Sequence, residues 1–415
     1  MRLLPLLGAL AASTPVLLGA GLAHADDPAA ADDASIGTRP AAATPLADAP
    51  TRGAEMEPTG DGGMRRRPIQ IATDPPPDWA VLHAGVRPNL GTFGGIATLA
   101  LAHARTERFY GGFSFSAIRN DAGTHGGLAP TALGRNQADT FVGGLQLSLT
   151  ENRARNFYGI AQTSLAYNRS LSMVGLAQVA GYNRAKEFSG LAQIGGYNRT
   201  DKSFSGAFEL GAFNHARGSF TGVAQIGVVS ATGPDLVGDD DGGSDKRRFG
   251  GLFQLGVTST VDGDFYGLAQ LGAATYVSGH FRGLVQAGVV AGAQHFHGPL
   301  QLGVAAISEQ SDGVQIGAGA VAFEEHTGIQ LGVLANYAKS TRGAQIGLVN
   351  IGDEVRGVQI GLFNHTNKLR GVQIGLANHA EDGVLPWTAI LNMGFGDGDG
   401  GGLDDEDEHT ETARR

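Results

Sequence analysis

Histidine side chains give the chain its best opportunity for metal chemistry, but their spacing does not assemble a site. In an extended strand His295 and His297 share one face, and His280 comes one repeat earlier, so they would suit a zinc ion only if the fold brought all three imidazoles together. His280 and His295 each come directly before a repeated Phe, a position typical of a turn at the rim of the fold. We therefore predict no metal site.

Acidic residues form one dense run at positions 239–245, which reads Asp-Asp-Asp-Gly-Gly-Ser-Asp. Carboxylates at this density suit Ca²⁺, but the run lacks the spacing and the closing Glu of an EF-hand loop, and like charges in series usually stay solvated. The sequence contains no nucleophile elbow, phosphate-binding loop or paired-carboxylate signal. We predict a non-enzymatic protein without a cofactor.

The residue that the chain repeats is glutamine, at intervals of 14 to 16 residues with one longer interval of 29. It lies in the phrase Phe-x-Gly-Leu-Ala-Gln-Ile-Gly in one part of the chain and in Gly-Val-Gln-Ile-Gly-Leu-x-Asn in another. A period this persistent indicates one structural unit copied many times. The row consists of Gln146, Gln162, Gln178, Gln193, Glu209 (in a Gln slot), Gln225, Gln254, Gln270, Gln286, Gln301, Gln315, Gln330, Gln345, Gln359 and Gln373.

Each repeat is predicted to contain one β-strand. Glycine at fixed offsets, apolar residues at every second position and polar breaks between repeats are typical of strands, and helical signals are absent. In the repeat 188–198, period-two alternation puts Phe188 and Ile194 on one face and Gln193 and Tyr197 on the other. A strand of roughly ten residues and a turn of about five account for the period.

The N-terminus indicates export. Arg2, the apolar stretch 3–22 and the sequence Ala-His-Ala at 23–25 are typical of a cleaved signal peptide, residues 1–25. The proline- and alanine-rich segment 26–78 that follows is predicted to be a disordered linker.

The rest of the chain is predicted to be one repetitive β domain, residues 79–395, followed by a disordered, glycine-rich and acidic tail, residues 396–415. Extra sequence interrupts the period at 120–140, which contains Pro130, and at 231–248. Both interruptions are predicted to be long loops.

Charge is confined to the segments between the predicted strands. Within the central window of every repeat Glu209 is the only ionisable residue, so the strands would form an uncharged band with charged rims. A transmembrane β-strand needs about 9–11 residues, close to the length of each repeat strand. The net charge of −10 argues against nucleic acid as a partner, and the absence of Cys means that there is no disulfide framework.

Two architectures suit such a repeat. In a closed barrel each repeat is one strand and neighbours run antiparallel, whereas in a parallel β-solenoid each repeat is one full coil. The segments between repeats, such as 185–187 and 352–354, are polar and lack alternation, which favours turns over a second wall. The sequence therefore favours an all-β transmembrane barrel of about 18–20 short strands, with a parallel β-solenoid as the alternative.

The barrel assigns roles to the two faces of each strand. The Gln row would line the lumen, where Glu209 would stay hydrated and favour cations. Ile194 and Ile360, which each follow a repeated Gln, would face lipid. In a dry solenoid core the carboxylate of Glu209 would be unpaired and costly, so in that architecture we expect it on the outer face.

The last strand is predicted from alternating apolar residues. Trp387, Leu391, Met393 and Phe395 share one face, and the segment resembles the C-terminal assembly signal of bacterial outer-membrane barrels, which is closed by a Phe. Here Phe395 is followed by the tail 396–415, which departs from that pattern. The alternative is an edge strand that caps a solenoid.

The phrases at 343–350, 357–364 and 371–378 and the closing segment 385–395 resemble the leptospiral-type surface-repeat family of Gram-negative bacteria. The resemblance implies an exported, envelope-associated protein and brings no catalytic residues.

Together these observations predict an exported outer-membrane protein with a structural, surface-display or pore role. Its partners would be outer-membrane lipid and the barrel assembly machinery, with no nucleic acid, and the sequence leaves the oligomeric state open. The alternative is an exported β-solenoid surface protein that binds a ligand or partner along its repeat face.

Overall fold

The structure of the chain, a computed structural model, describes residues 56–58, 64–66, 78–234 and 247–395. Every regular element of these residues is a β-strand, which confirms the all-β prediction. Across the same residues no helix is long and apolar enough to cross a membrane. The predicted signal peptide, most of the predicted linker, the acidic run 239–245 and the predicted tail lie outside the described residues.

The described residues form two compact units that divide between Gly175 and Leu176. In the N-terminal unit, a short antiparallel pair within the predicted linker precedes strands that each pair in parallel with the next, 15 or 16 residues further on, as Phe93 with Phe109. Its strands are β1 (Met56–Pro58), β2 (Met64–Arg66), β3 (Asp78–Gly85), β4 (Asn89–Ala100), β5 (His103–Ser116), β6 (Arg119–Ala132), β7 (Arg135–Ser148), β8 (Glu151–Thr163) and the start of β9 (Tyr167–Ser205).

The C-terminal unit begins within β9 and repeats the same pairing. Glu209 pairs in parallel with Gln193, and Gln373 with Gln359. Its further strands are β10 (Phe208–Ala216), β11 (Ser219–Thr221), β12 (Ala224–Ile226), β13 (Val229–Thr232), β14 (Arg248–Gly250), β15 (Phe253–Leu255), β16 (Thr258–Val261), β17 (Asp264–Tyr266), β18 (Ala269–Leu271), β19 (Ala274–Arg282), β20 (Val285–Ile360), β21 (Phe363–Ala380) and β22 (Trp387–Phe395).

Parallel pairing at a distance of one repeat makes each repeat one coil of a parallel β-solenoid. Successive repeats are therefore not the antiparallel neighbours predicted for a transmembrane barrel, and the alternative architecture is observed. The polar segments between repeats are not hairpin turns, because β9 runs through 185–187 and β20 runs through 352–354. Ala185 is the single buried side chain of 185–187. In 352–354 only Gly352 is buried, and the next buried residue, Val355, directly follows the segment, so alternation within these segments could not be seen.

The predicted loop 120–140 is also a regular coil. It is occupied by β6 and β7, and His125 pairs with Phe109 and Phe141 in the register of the repeated Phe. The prediction of an interruption here is wrong, because His takes the place of Phe and Pro130 lies within the strand. The second predicted loop includes the undescribed residues 235–246.

Each coil has three sides, which are separated most clearly in the coil formed by β11, β12 and β13. Phe220, Gln225 and Ser230 are the buried side chains of the three strands in turn. We name the three sides the Phe side, the Gln side and the Asn side. The third name is chosen because Asn holds that position in most coils. Phe and Gln were predicted on opposite faces because they lie five residues apart. The chain bends at Gly222, which interrupts the alternation and turns both residues inward.

Identical side chains stack through the core from coil to coil. On the Phe side of the C-terminal unit the ring centroids of successive phenylalanines from Phe188 to Phe296 are 4.8 to 5.2 Å apart, which matches the spacing of roughly 4.7–4.9 Å between hydrogen-bonded strands. After Phe296 the column continues with smaller residues and the coils shorten. The corner before the Gln side then holds glycines with positive φ, including Gly343 and Gly357.

Replacing one of these corner glycines should destabilise the C-terminal unit. Gly357 has φ +141°, and a Cβ there would overlap the carbonyl oxygen of Gly343 in the preceding coil. We expect Gly357→Ala to lower the free energy of unfolding by at least about 1–3 kcal/mol from backbone strain, measured by urea denaturation of the purified chain. The matched control is Gly319→Ala, because a Cβ at Gly319 meets nothing within 4 Å. Equal midpoints for the two variants would contradict this account of the corner.

Candidate functional site

The predicted Gln row is buried in both units, with every member from Gln146 to Gln373 inside the core. Along the column the amide Nε2 donates to the side-chain oxygen of the preceding coil, as Gln193 does to Gln178 at 2.8 Å and Gln359 to Gln345 at 2.7 Å. In many coils the second amide hydrogen crosses the coil to a backbone carbonyl six residues on, as from Gln286 to Gly292 at 2.8 Å. The row therefore satisfies its own polar atoms and lines neither a lumen nor a binding face.

Asparagines form a second buried column, on the Asn side. Asn198 Nδ2 donates to Asn214 Oδ1 at 2.8 Å and to the carbonyl oxygen of Leu210 at 2.7 Å. The Asn amide fills the space beneath Gly211, where a Cβ would lie 2.7 Å from Asn198 Nδ2. This column was not predicted from the sequence. The regular pairing of Gly two residues after Gln with Asn three residues later was the signal that was overlooked.

The three histidines considered for zinc do come together. His280 and His295 stack with ring centroids 4.5 Å apart, and His297 lies 5.4 Å from His280. His297 Nδ1 lies 2.7 Å from Asp312 Oδ2. The described part of the chain nevertheless holds no group of three or more His, Asp or Glu side chains arranged to bind a metal ion.

The predicted closing strand, β22, runs antiparallel to β21. The predicted face, Trp387, Leu391, Met393 and Phe395, is exposed, and Asn392 is buried between its neighbours. The alternation fails at Ile390, which is exposed like Leu391 and has positive φ. Asn392 Nδ2 donates to Gln373 Oε1 at 3.4 Å, so this strand ends the amide column. Here β22 acts as the edge strand that caps a solenoid, which was the alternative to an assembly signal.

The exposed side chains that flank the Gln column are aliphatic. From Leu176 to Leu376 the six-residue windows that begin two residues before each column member contain no ionisable residue except the buried Glu209. We call this surface of the C-terminal unit the aliphatic face. Its exposed and half-exposed members include Leu176, Leu191, Val223, Leu252, Leu268 and Leu284 two residues before the column, Ile194, Ile226, Leu271, Leu302, Ile346, Ile360 and Ile374 directly after it, and Val228, Val257, Val289, Val304, Val333, Leu348, Leu362 and Leu376 three residues after it.

A shallow groove of about 560 Å³ follows this face near its C-terminal end. One wall is the ridge of Ile346, Ile360 and Ile374, which are 39 to 42% exposed. The opposite wall contains Leu348, Leu362 and Leu376, and glycines such as Gly361 lie between the walls. The groove exists because Asn needs the space beneath each of these glycines: at Gly361 a Cβ would lie 2.6 Å from Asn350 Nδ2.

The N-terminal unit has a comparable set of exposed apolar residues around its own Gln side. Ile96, Leu128 and Ile160 are 52 to 60% exposed. The amide column is shorter here, with Gln162 Nε2 donating to Gln146 Oε1 at 2.9 Å. Earlier coils hold Thr98 or Ser114 in this register. The apolar surface is thus present in both units, although the residues beneath it differ.

No protein-family model, curated protein or solved structure matches this chain. The resemblance to the leptospiral-type surface-repeat family stays a prediction from the repeat phrases.

Charged residues lie on other parts of the coils, where they pair with each other. Asp201 lies 2.9 Å from Arg184 and 2.8 Å from Arg199. Burial alone would raise the pKa of Asp201, but the two arginines hold it below its usual value. Arg356 and Glu354 form a further pair at 2.9 Å. The contrast with these surfaces makes the aliphatic face the candidate functional site.

Glu209 takes the place of Gln within the buried column. The prediction that a solenoid would carry it on the outer face is wrong, because the side chain is fully buried and its Oε2 accepts a hydrogen bond from Gln225 Nε2 at 2.8 Å. Its Oε1 has no partner among the described residues. Burial raises the pKa of Glu209 to about 8, so at neutral pH the side chain is a neutral acid that can donate a hydrogen bond, as the Gln amide does in other coils.

The protonation of Glu209 should make stability depend on pH. Below pH 4.5, the unperturbed pKa of the group, folded and unfolded chains both carry the proton and stability is greatest. Between pH 4.5 and about 8 only the folded chain keeps it, so stability should fall by up to about 1.4 kcal/mol per pH unit.

Glu209→Gln is the matched variant, because the Gln amide supplies a hydrogen-bond donor at every pH and does not titrate. Unfolding midpoints measured from pH 4 to pH 9 should show a difference between wild type and variant that grows with pH and levels off above about pH 8. A difference that does not change with pH would show that Glu209 is not protonated in the core.

Proposed function

We propose that the protein is an exported, non-enzymatic β-solenoid of the cell envelope that acts through its aliphatic face, which is covered by an apolar partner. The observation that carries this proposal is the continuous aliphatic surface beside a buried amide column. A pore role was predicted from a hydrated Gln row, and the burial of that row removes its basis.

The size of the face supports an interaction role. Thirteen members of the column, from Gln178 to Gln373, belong to the C-terminal unit. With coils roughly 4.8 Å apart and a face six residues wide, which is five steps of about 3.3 Å, the surface measures roughly 60 by 16 Å, or on the order of 900 Å². Exposed apolar patches on monomeric proteins rarely exceed about 300–600 Å², and larger ones usually mark interaction sites.

A solenoid suits this role because every added coil extends one surface without changing its chemistry. The predicted signal peptide, residues 1–25, supports the exported location. A face that stays aliphatic over this many coils indicates a partner that is itself extended and apolar where it makes contact.

Radical footprinting of the protein in its native envelope should detect the partner. Ile346, Ile360 and Ile374 on the face are 39 to 42% exposed in the chain alone, and Val174, which lies off the face, is 42% exposed. If the face is covered, labelling of the three isoleucines should be several-fold lower than labelling of Val174, which is the internal control. Equal labelling would mean that the face is open to water and would contradict the proposal.

Export is tested separately on the same material. N-terminal sequencing of the recovered chain should give a mature protein that begins at Asp26. Recovery of an unprocessed chain from the cytoplasm would overturn the exported location. The footprinting result would then bear only on whether the aliphatic face is covered.

A further inference from the structure

We propose that the partner of the aliphatic face is a second copy of this chain, so that two C-terminal units pack face to face. This inference rests on the proposed function, because it names the occupant of the same face. It is carried by the area of the face, its repeating relief and its lack of charge.

The area is sufficient for a stable dimer. A standard protein interface buries about 800 Å² per partner, and the aliphatic face offers on the order of 900 Å² by the coil spacing and strand rise. Interfaces between identical subunits are also more apolar at their centres than the average protein surface.

The ridges and groove of the aliphatic face allow it to pack against the same face of a second copy. The isoleucine ridge that includes Ile360 and the leucine ridge that includes Leu362 enclose a groove, and both ridges repeat at the coil spacing. A two-fold interface brings the same patch of each subunit together. Because two copies share one repeat distance, a ridge of one can lie in the groove of the other over many coils, which an unrelated partner would match only by coincidence.

The charge of the C-terminal unit favours a copy over a lipid membrane. Its described residues from Leu176 on contain 13 Lys and Arg and 13 Asp and Glu, a formal net charge of 13 − 13 = 0. Membrane-binding surfaces usually add basic residues that attract anionic headgroups and Trp or Tyr at the interface. The aliphatic face has none of these residues.

The chain's own C-terminal segment is a poor occupant. Residues 396–415 consist mainly of glycine and acidic residues, and Leu403 is the single large aliphatic residue among them. Such a segment has little apolar surface to bury against the face, and its carboxylates would lose hydration there.

The test is the mass of the full mature chain by sedimentation velocity over a range of concentrations. Wild type is expected to be a dimer. The triple variant Ile346→Glu, Ile360→Glu, Ile374→Glu puts carboxylates in the interface and should raise the dissociation constant at least about 100-fold, leaving a monomer of half the mass. The matched control is Ser189→Glu, Ser205→Glu, Thr221→Glu, which adds three charges to exposed positions of adjacent coils on the Phe side and should stay dimeric.

A second measurement covers the case in which the triple variant does not fold. The chain has no Cys, so single-Cys variants report on one position only. Ala287 occupies the middle of the thirteen positions directly after the column residues, close to the expected two-fold axis. Ala287→Cys should therefore cross-link between copies with a short bis-maleimide, whereas Thr221→Cys should not.

Three outcomes would overturn the inference: a wild type that stays monomeric at high concentration, a dimer broken by the Phe-side control, and cross-linking at Thr221→Cys alone. Neutral phosphatidylcholine vesicles then separate the two proposals. If the protein is a monomer and binds these vesicles through the aliphatic face, the proposal of a second copy is overturned. The proposal of an apolar partner then still stands. A monomer that binds no vesicles and has a freely labelled face would overturn both.

Discussion

The stacking of identical amides from coil to coil is the interaction on which the rest of the structure depends. A Gln side chain in a dry core has two donor hydrogens and one acceptor oxygen to satisfy. Here one hydrogen and the oxygen bond along the stack, and the other hydrogen bonds to a carbonyl across the coil. Each bond contributes only about 1 kcal/mol net, but a buried amide without its partner costs about 1–3 kcal/mol. A shift of register by one residue would bury Ile194 and expose Gln193, so the column fixes the pairing.

The same column explains why the surface beside it is aliphatic. Gln amides occupy the interior of the coils together with phenylalanine rings as far as Phe296, and the Asn amide occupies the corner beneath Gly211. Little space is left inside for branched side chains, and the residues next to Gln point outward by alternation. The usual arrangement, with aliphatic residues inside and amides outside, is reversed on the Gln side. The aliphatic face is therefore a direct consequence of how the core is built, and its exposure is the reason that we propose a partner which covers it.

The sequence predicted the repeat, the all-β class and the shared apolar face of the closing strand because these depend on spacing alone. It did not predict the direction of pairing or the inner face of each strand. Alternation was assumed to run from Phe188 to Gln193 without a break, and the coil bends between them. The Gln side chains were predicted to line water. The sequence does not distinguish a hydrated row of Gln side chains from a buried, hydrogen-bonded column, because both have Gln at the same positions. A single buried side chain such as Val355 between charged neighbours does not look like a strand in the sequence.

Some repeats carry a different residue at a core position, and two of these substitutions show which side chains the core accepts. His125 stacks on Phe109 with ring centroids 4.3 Å apart, and burial lowers its pKa to about 3. Burial raises the pKa of Glu209 to about 8. The two groups shift in opposite directions, and both are neutral at pH 7. The core thus accepts a planar group of suitable size provided that it carries no charge, because a stack in a dry interior can satisfy hydrogen bonds but cannot solvate an ion. In the described residues of the C-terminal unit, ionised residues are left to the outer surfaces, and beside the Gln column those surfaces carry only aliphatic residues and glycine, apart from an occasional Phe or Pro.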